Sequence, residues 1–128
     1  MVIAAVDPNK KDLKRLVMTL HKAYPGCTVV MFTDSSSAAE YMEENPIDIL
    51  FTEISMFYMD GFALQAAAEA VQPGIFTVFV TDTDVYAGRA IKTKAAGYIL
   101  KPINREDIYE ALAETKFQYR QPAYKKEG

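Results

Sequence analysis

The 128-residue chain has one cysteine, Cys27, and one histidine, His21. A single thiol closes no internal disulfide, and with a single imidazole it builds no Cys/His zinc cluster. No apolar run approaches the roughly 20 residues that span a bilayer as a helix. The start, M-V-I-A-A-V-D-P, has neither a basic region nor a cleavage site, so no secretory leader is expected and a cytoplasmic location is the default. Positive charge is not in excess either: the formal net charge of −3 gives no electrostatic case for nucleic acid as a partner of this domain. There is no G-x-G-x-x-G turn, no P-loop and no Ser/Thr/Gly-rich loop after the first apolar run, which disfavours a nucleotide or flavin site. Internal repeats and low-complexity tracts are also missing. What is present is ordinary globular composition, 50% hydrophobic and 24% charged, in a chain long enough for one domain with a real core.

The stretch from Asp48 to Gly61, D-I-L-F-T-E-I-S-M-F-Y-M-D-G, organises the rest. Ile49 to Thr52 is short, apolar without alternation and bounded by turn residues, the pattern of a strand buried on both faces. Val2 to Val6, Thr28 to Phe32, Ile75 to Val80 and Tyr98 to Leu100 read as further strands. Between them lie helical patterns. Asp7 with Pro8 looks like an N-cap and first helical residue, followed by Leu13, Leu16, Val17 and Leu20 at helical spacing. Thr33, Asp34 and Ser35 to Ser37 offer several possible caps for a short helix with Ala38, Ala39, Tyr41 and Met42 inside. Phe62 to Val71 forms a third helix. Asp84 can cap a fourth from about Val85 to Ala96, with Gly97 as its stop. Asn104 caps a fifth, with Ile108, Ala111 and Leu112 inside. Strands and helices thus alternate five times, which predicts parallel strands, right-handed crossovers and a doubly wound α/β domain over residues 1–118. Residues 119–128 read as a polar tail or the start of a linker.

In an open parallel sheet, ligands gather at the carboxyl ends of the strands. Four polar side chains fall there: Asp7 after the first strand, Glu53 after the third, Thr81 after the fourth and Lys101 after the fifth. Each has a bland explanation as a cap, a strand-end hydroxyl or a turn. Glu53 resists one, because a carboxylate beside a buried strand is costly unless paired. His21 lies in the first helix, away from this edge.

With these residues in place, the chain from Val2 to about Thr115 resembles the receiver domain of two-component response regulators. The resemblance rests on the Asp48–Gly61 stretch, where the family carries its phosphoacceptor and an M-D-G loop, and on G-Y-I-L-K-P from Gly97 to Pro102. It implies a flavodoxin-like (βα)5 fold with strand order 2-1-3-4-5. It further implies switch positions at Thr81 and Tyr98, and a site lysine followed by a proline, often cis, at Lys101 and Pro102. It also implies partner contacts or a homodimer through the last two helices and the fifth strand, a surface that in this chain mixes Arg89, Lys92 and Lys94 with Arg105, Glu106, Asp107 and Glu110. A C-terminal output domain, for example one that regulates transcription, is a further implication.

The chain departs from the family pattern at four places. Glu53 replaces the acceptor aspartate, Pro8 an acidic metal ligand, Asp82 the usual small residue after Thr81, and Phe57-Tyr58 the usual Pro-Gly. Glu is longer than Asp by one C–C bond, about 1.5 Å, an error that is expensive when a phosphoryl group must be placed. Pro8 removes a carboxylate on which an octahedral Mg²⁺ would lean, leaving Asp7, Glu53 and the Ser55 carbonyl for a weak site or none. The expectation is a pseudo-receiver that acts by protein–protein contact. Within it, Glu53 either mimics the phosphorylated state by reaching Lys101 and Thr81, or forms a plain ion pair with Lys101. A conventional Mg²⁺-dependent acceptor with a degenerate site is the alternative, and an unrelated enzyme or cofactor binder the third reading.

Overall fold

The computed structural model describes residues 1–120, so most of the predicted polar tail lies outside the described residues. Elements alternate along the chain: β1 (Val2–Val6), α1 (Lys10–Ala23), β2 (Thr28–Phe32), α2 (Ser35–Glu44), β3 (Ile49–Thr52), α3 (Gly61–Val71), β4 (Phe76–Thr81), α4 (Ala87–Lys92), β5 (Gly97–Leu100) and α5 (Arg105–Ala111). All neighbouring strands are parallel, in the order β2-β1-β3-β4-β5, which is the flavodoxin-like arrangement.

Side chains of a strand point alternately to its two faces. Ile3, Ala5, Ile49, Phe51, Val78 and Val80 therefore pack beneath α1 and α5 with Leu16, Leu20, Ile108 and Leu112. Ala4, Val6 and Leu50 point to the opposite layer, against Ala38 and Met42 of α2 and Leu64 and Ala68 of α3. This is why β1 and β3 read as unbroken apolar runs: both of their faces are covered. Each fully buried Ile, Leu or Phe in them contributes about 2 kcal/mol. β2 is an edge strand, and its Met31 is 59% exposed. Among the described residues no helix is long and apolar enough to cross a membrane.

Three local expectations fail, each for a visible reason. Asp7 does not cap α1. Asn9 does, accepting from the Asp12 amide, while Asp7 accepts from the Asn9 amide and turns its other oxygen away. The fourth helix is only six residues long, and Tyr86 precedes it without a side-chain cap. Gly88 weakens its first turn, and Lys94, at φ 59°, ends the helical path three residues before Gly97. Gly97 is no helix stop; it opens β5, where an added Cβ would lie 2.4 Å from the Cβ of Ala111. The residue is glycine because α5 crosses there in contact with the backbone.

Candidate functional site

The sheet continues one residue past the strands that matter, so its hydrogen bonds hold the backbone of each site residue. The Asp7 amide donates to the Phe32 carbonyl, that of Glu53 to Val6, and that of Lys101 to Thr81. Asp7 and Glu53 are buried, with 2% and 7% of their surfaces exposed. Lys101 lies across the edge between them. Its Nζ is 2.8 Å from Asp7 Oδ2, 2.8 Å from Glu53 Oε1 and 2.9 Å from Asp12 Oδ2. An ammonium has three protons, and here each has its own carboxylate.

The remaining carboxylate oxygens are also engaged. Asp7 Oδ1 accepts from the Asn9 amide at 2.9 Å. Glu53 Oε2 accepts from the amides of Ile54 and Ser55 at 2.5 and 3.2 Å. All four oxygens of the two buried acids thus have a protein donor. The two acids nevertheless titrate in opposite directions. Burial pushes the Asp7 carboxyl above its ordinary range, against the pull of Lys101 and the Asn9 amide. Burial acts on Glu53 in the same sense, but Lys101, the nearby Thr81 hydroxyl and the Ile54 amide outweigh it and hold the carboxyl below its ordinary range. Burial also disfavours the Lys101 cation, yet the three carboxylates win and its pKa is raised.

The Mg²⁺ that the sequence resemblance implies does not fit this donor set. Asp7 and Glu53 are committed to Lys101 and to backbone amides, and Pro8 offers no side-chain oxygen. Among the described residues no group of three or more acidic, histidine or cysteine side chains is placed to hold a metal.

Thr81 and Tyr98 sit where the sequence puts them, at the end of β4 and within β5, but the expected network stops short of them. The Thr81 hydroxyl stands close enough to favour the Glu53 anion, yet it is fully buried and closes no hydrogen bond of proper geometry. Tyr98 is half-buried against the Ile54, Phe62, Phe79 and Ala90 cluster, and its hydroxyl donates to the Thr83 carbonyl. Pro102 follows Lys101 through a cis peptide bond. At the far end of the acceptor loop, a Cβ on Gly61 would lie 2.5 Å from the Glu53 carbonyl oxygen, so α3 starts in direct contact with the backbone of Glu53.

Sequence reasoning missed Asp12. It lies in the first turn of α1 among lysines, where a charge looks solvated, and its side chain is indeed 39% exposed. Its distance from Asp7, just over one helical turn, was the available signal. His21 is exposed on α1, as expected, and remote from the cluster.

Known proteins bear on this geometry. The family profile described as response regulator receiver domain matches residues 3–113. Sensory transduction protein LytR of Streptococcus mutans is 37% identical over 83 residues, covering 65% of this chain and 34% of that protein. Response regulator receiver protein CpdR of Brucella abortus is 37% identical over 81 residues, covering 62% of this chain and 64% of the relative. The chain thus spans about a third of LytR and under two thirds of CpdR. Among solved structures, the response regulatory domain of protein mrkE from Klebsiella pneumoniae superposes with a TM-score of 0.79 at 23% identity, covering 89% of this chain and 93% of that one. The receiver domain of a sensor histidine kinase from Pseudomonas aeruginosa, which has magnesium coordinated in its active site cleft, gives a TM-score of 0.73 at 18% identity, covering 87% and 93%.

Proposed function

Because this chain belongs to the response regulator receiver family, we propose that it is a pseudo-receiver, a signalling domain that works by protein–protein contact without aspartyl phosphorylation. The observation that carries this reading is the Lys101 ammonium, shared by Asp7, Asp12 and Glu53 at 2.8–2.9 Å. The cluster is complete without a metal or a phosphoryl group. Glu53 supplies at the acceptor position the anion that phosphorylation would otherwise deliver, and it reaches Lys101 as a mimic should. The Thr81 hydroxyl lies near enough to favour the Glu53 anion but closes no hydrogen bond of proper geometry, which supports a locked ion pair over a full imitation of the phosphorylated state. The domain then has one state, set by its sequence.

Incubation with a small-molecule phosphodonor and Mg²⁺, read by intact mass and by the NMR environment of Tyr98, is expected to leave both unchanged. A mass gain of one phosphoryl group that disappears in Glu53→Gln would sink the proposal in favour of a working acceptor.

The partner surface we assign is the α4–β5–α5 face. Ile91 on α4 is 78% exposed and Leu100 on β5 is 49% exposed, with Arg89 and Lys92 on α4 and Glu106, Asp107 and Glu110 on α5. Opposite charges on adjacent helices suit a two-fold self-association. LytR is far longer than this chain, and an output segment following residue 128 is part of the same proposal.

A further inference from the structure

The loop between β3 and α3 carries two aromatic side chains that the Lys101 cluster does not use. Phe57 is 81% exposed and Tyr58 93%, the highest values for large hydrophobic residues among those described. Their rings meet edge to face, with centroids 4.6 Å apart. Tyr58 has φ 65°, and Lys94 is the only other non-glycine residue with positive φ among the described residues. That left-handed conformation is unfavourable for a bulky residue, and it is why a glycine suits this position. Packing does not account for a strained backbone that keeps a ring in water. Observed strain of this kind points to a use for the side chain.

Phe57 and Tyr58 form one wall of a recess of about 360 Å³ whose other lining residues are Pro8, Thr33, Asp34 and Ser36. Two departures from the family pattern, Pro8 after β1 and Phe57-Tyr58 after β3, therefore meet on one surface. Asp34 is the one charged residue of the lining, and its carboxylate caps α2 through Ser37 at 2.7 and 2.9 Å with lone pairs to spare. No cation is among the lining residues. Aromatic faces attract cations through the ring quadrupole, and an adjacent carboxylate adds direct charge. The start of α2 carries partial positive charge, which Asp34 meets with a full negative one. An anion would be repelled by Asp34, and an aliphatic group would gain nothing from its charge.

We infer that the Phe57–Tyr58–Asp34 recess docks an arginine or lysine side chain presented by a segment of a partner protein. The inference does not depend on whether Glu53 accepts a phosphoryl group. Its test is an NMR titration of the isotope-labelled full chain with a capped Gly-Arg-Gly-Arg-Gly peptide and with the same peptide carrying citrulline, which keeps the shape and removes the charge. The arginine peptide is expected to shift the amides of Asp34, Phe57 and Tyr58 to saturation, and the citrulline peptide is not. Phe57→Ala, Tyr58→Gly and Asp34→Asn should each weaken binding by about twofold to thirtyfold. Asparagine caps a helix as well as aspartate does, so Asp34→Asn removes the charge and keeps α2. Tyr58→Gly releases the left-handed strain, so its unfolding midpoint should not drop. Equal binding of both peptides, shifts that scatter over other acidic residues, or affinity unmoved by Asp34→Asn would overturn the inference. So would a lower midpoint in Tyr58→Gly, which would make the ring part of the fold.

Discussion

An ammonium shared by three carboxylates leaves a surplus of negative charge when it is removed. Lys101→Met should therefore cost about 3 kcal/mol in urea unfolding, with Asp7 and Glu53 left buried and uncompensated. The pH profile carries the same signature. The Lys101 pKa stands above its ordinary 10.5, so the folded state holds this proton more tightly than the unfolded chain does. Its contribution is complete below pH 10.5 and is lost as pH rises beyond it. Glu53, lowered from 4.5, stabilises above that value and loses its contribution as pH falls through the lowered one. Asp7, raised from 3.8, is costly as an anion, and its protonation offsets part of the Glu53 loss in acid. The wild-type chain should thus lose stability on the alkaline side, and Lys101→Met should lose less there, the remainder coming from Tyr24, Tyr98 and Tyr109, whose hydroxyl pKa values burial raises in the same sense. Restoring both missing features tests the chemistry directly: a Pro8→Asp/Glu53→Asp variant should bind Mg²⁺ and gain one phosphoryl mass from a phosphodonor. Asp7, Glu53 and Lys101 were legible because strand ends in a parallel sheet converge by topology. Asp12 was not, since helix-surface charge is the commonest bland pattern, and neither was the isolation of the Thr81 hydroxyl, which depends on fractions of an ångström.

Elements were legible where hydrophobic pattern and turn chemistry agree. All five strands and the starts of α2, α3 and α5 follow from apolar runs punctuated by Asp34, Asp60 and Asn104, each of which caps its helix. α4 was overestimated because its sequence is helix-compatible while its backbone is not held: Gly88 lies in its first turn and little of it is buried apart from Ala90. A Cβ at Gly88 would meet nothing within 4 Å. Gly88→Ala should therefore raise stability by about 0.5 kcal/mol, read as a higher unfolding midpoint. Gly97 gives the opposite result, because its Cβ would collide with Ala111. Gly97→Ala should cost about 2 kcal/mol, and Ala111→Gly in the same chain should recover part of the loss, as a double-mutant cycle would record.

Across the whole molecule, alternating elements establish parallel pairing and two helical layers, while the strand order came only from family resemblance. No local pattern distinguishes β2 from β5 as neighbour of β1. The exposed Ile91 and Leu100 belong to this scale as well. If α4, β5 and α5 form a two-fold interface, sedimentation should show a dimer that weakens with salt, and Ile91→Glu should leave a monomer with an unchanged fold. A monomer at every concentration of the wild-type chain would rule the interface out. The Lys101 cluster, which ties the ends of β1, β3 and β5 to the start of α1, has one more consequence, for ancestry. One cation serving three acids makes the order of substitutions matter. A lineage that loses Lys101 first passes through an intermediate with three unmatched carboxylates. One that changes Glu53 or Pro8 first keeps every remaining acid paired. Routes into and out of this sequence are thus expected to keep the lysine until last.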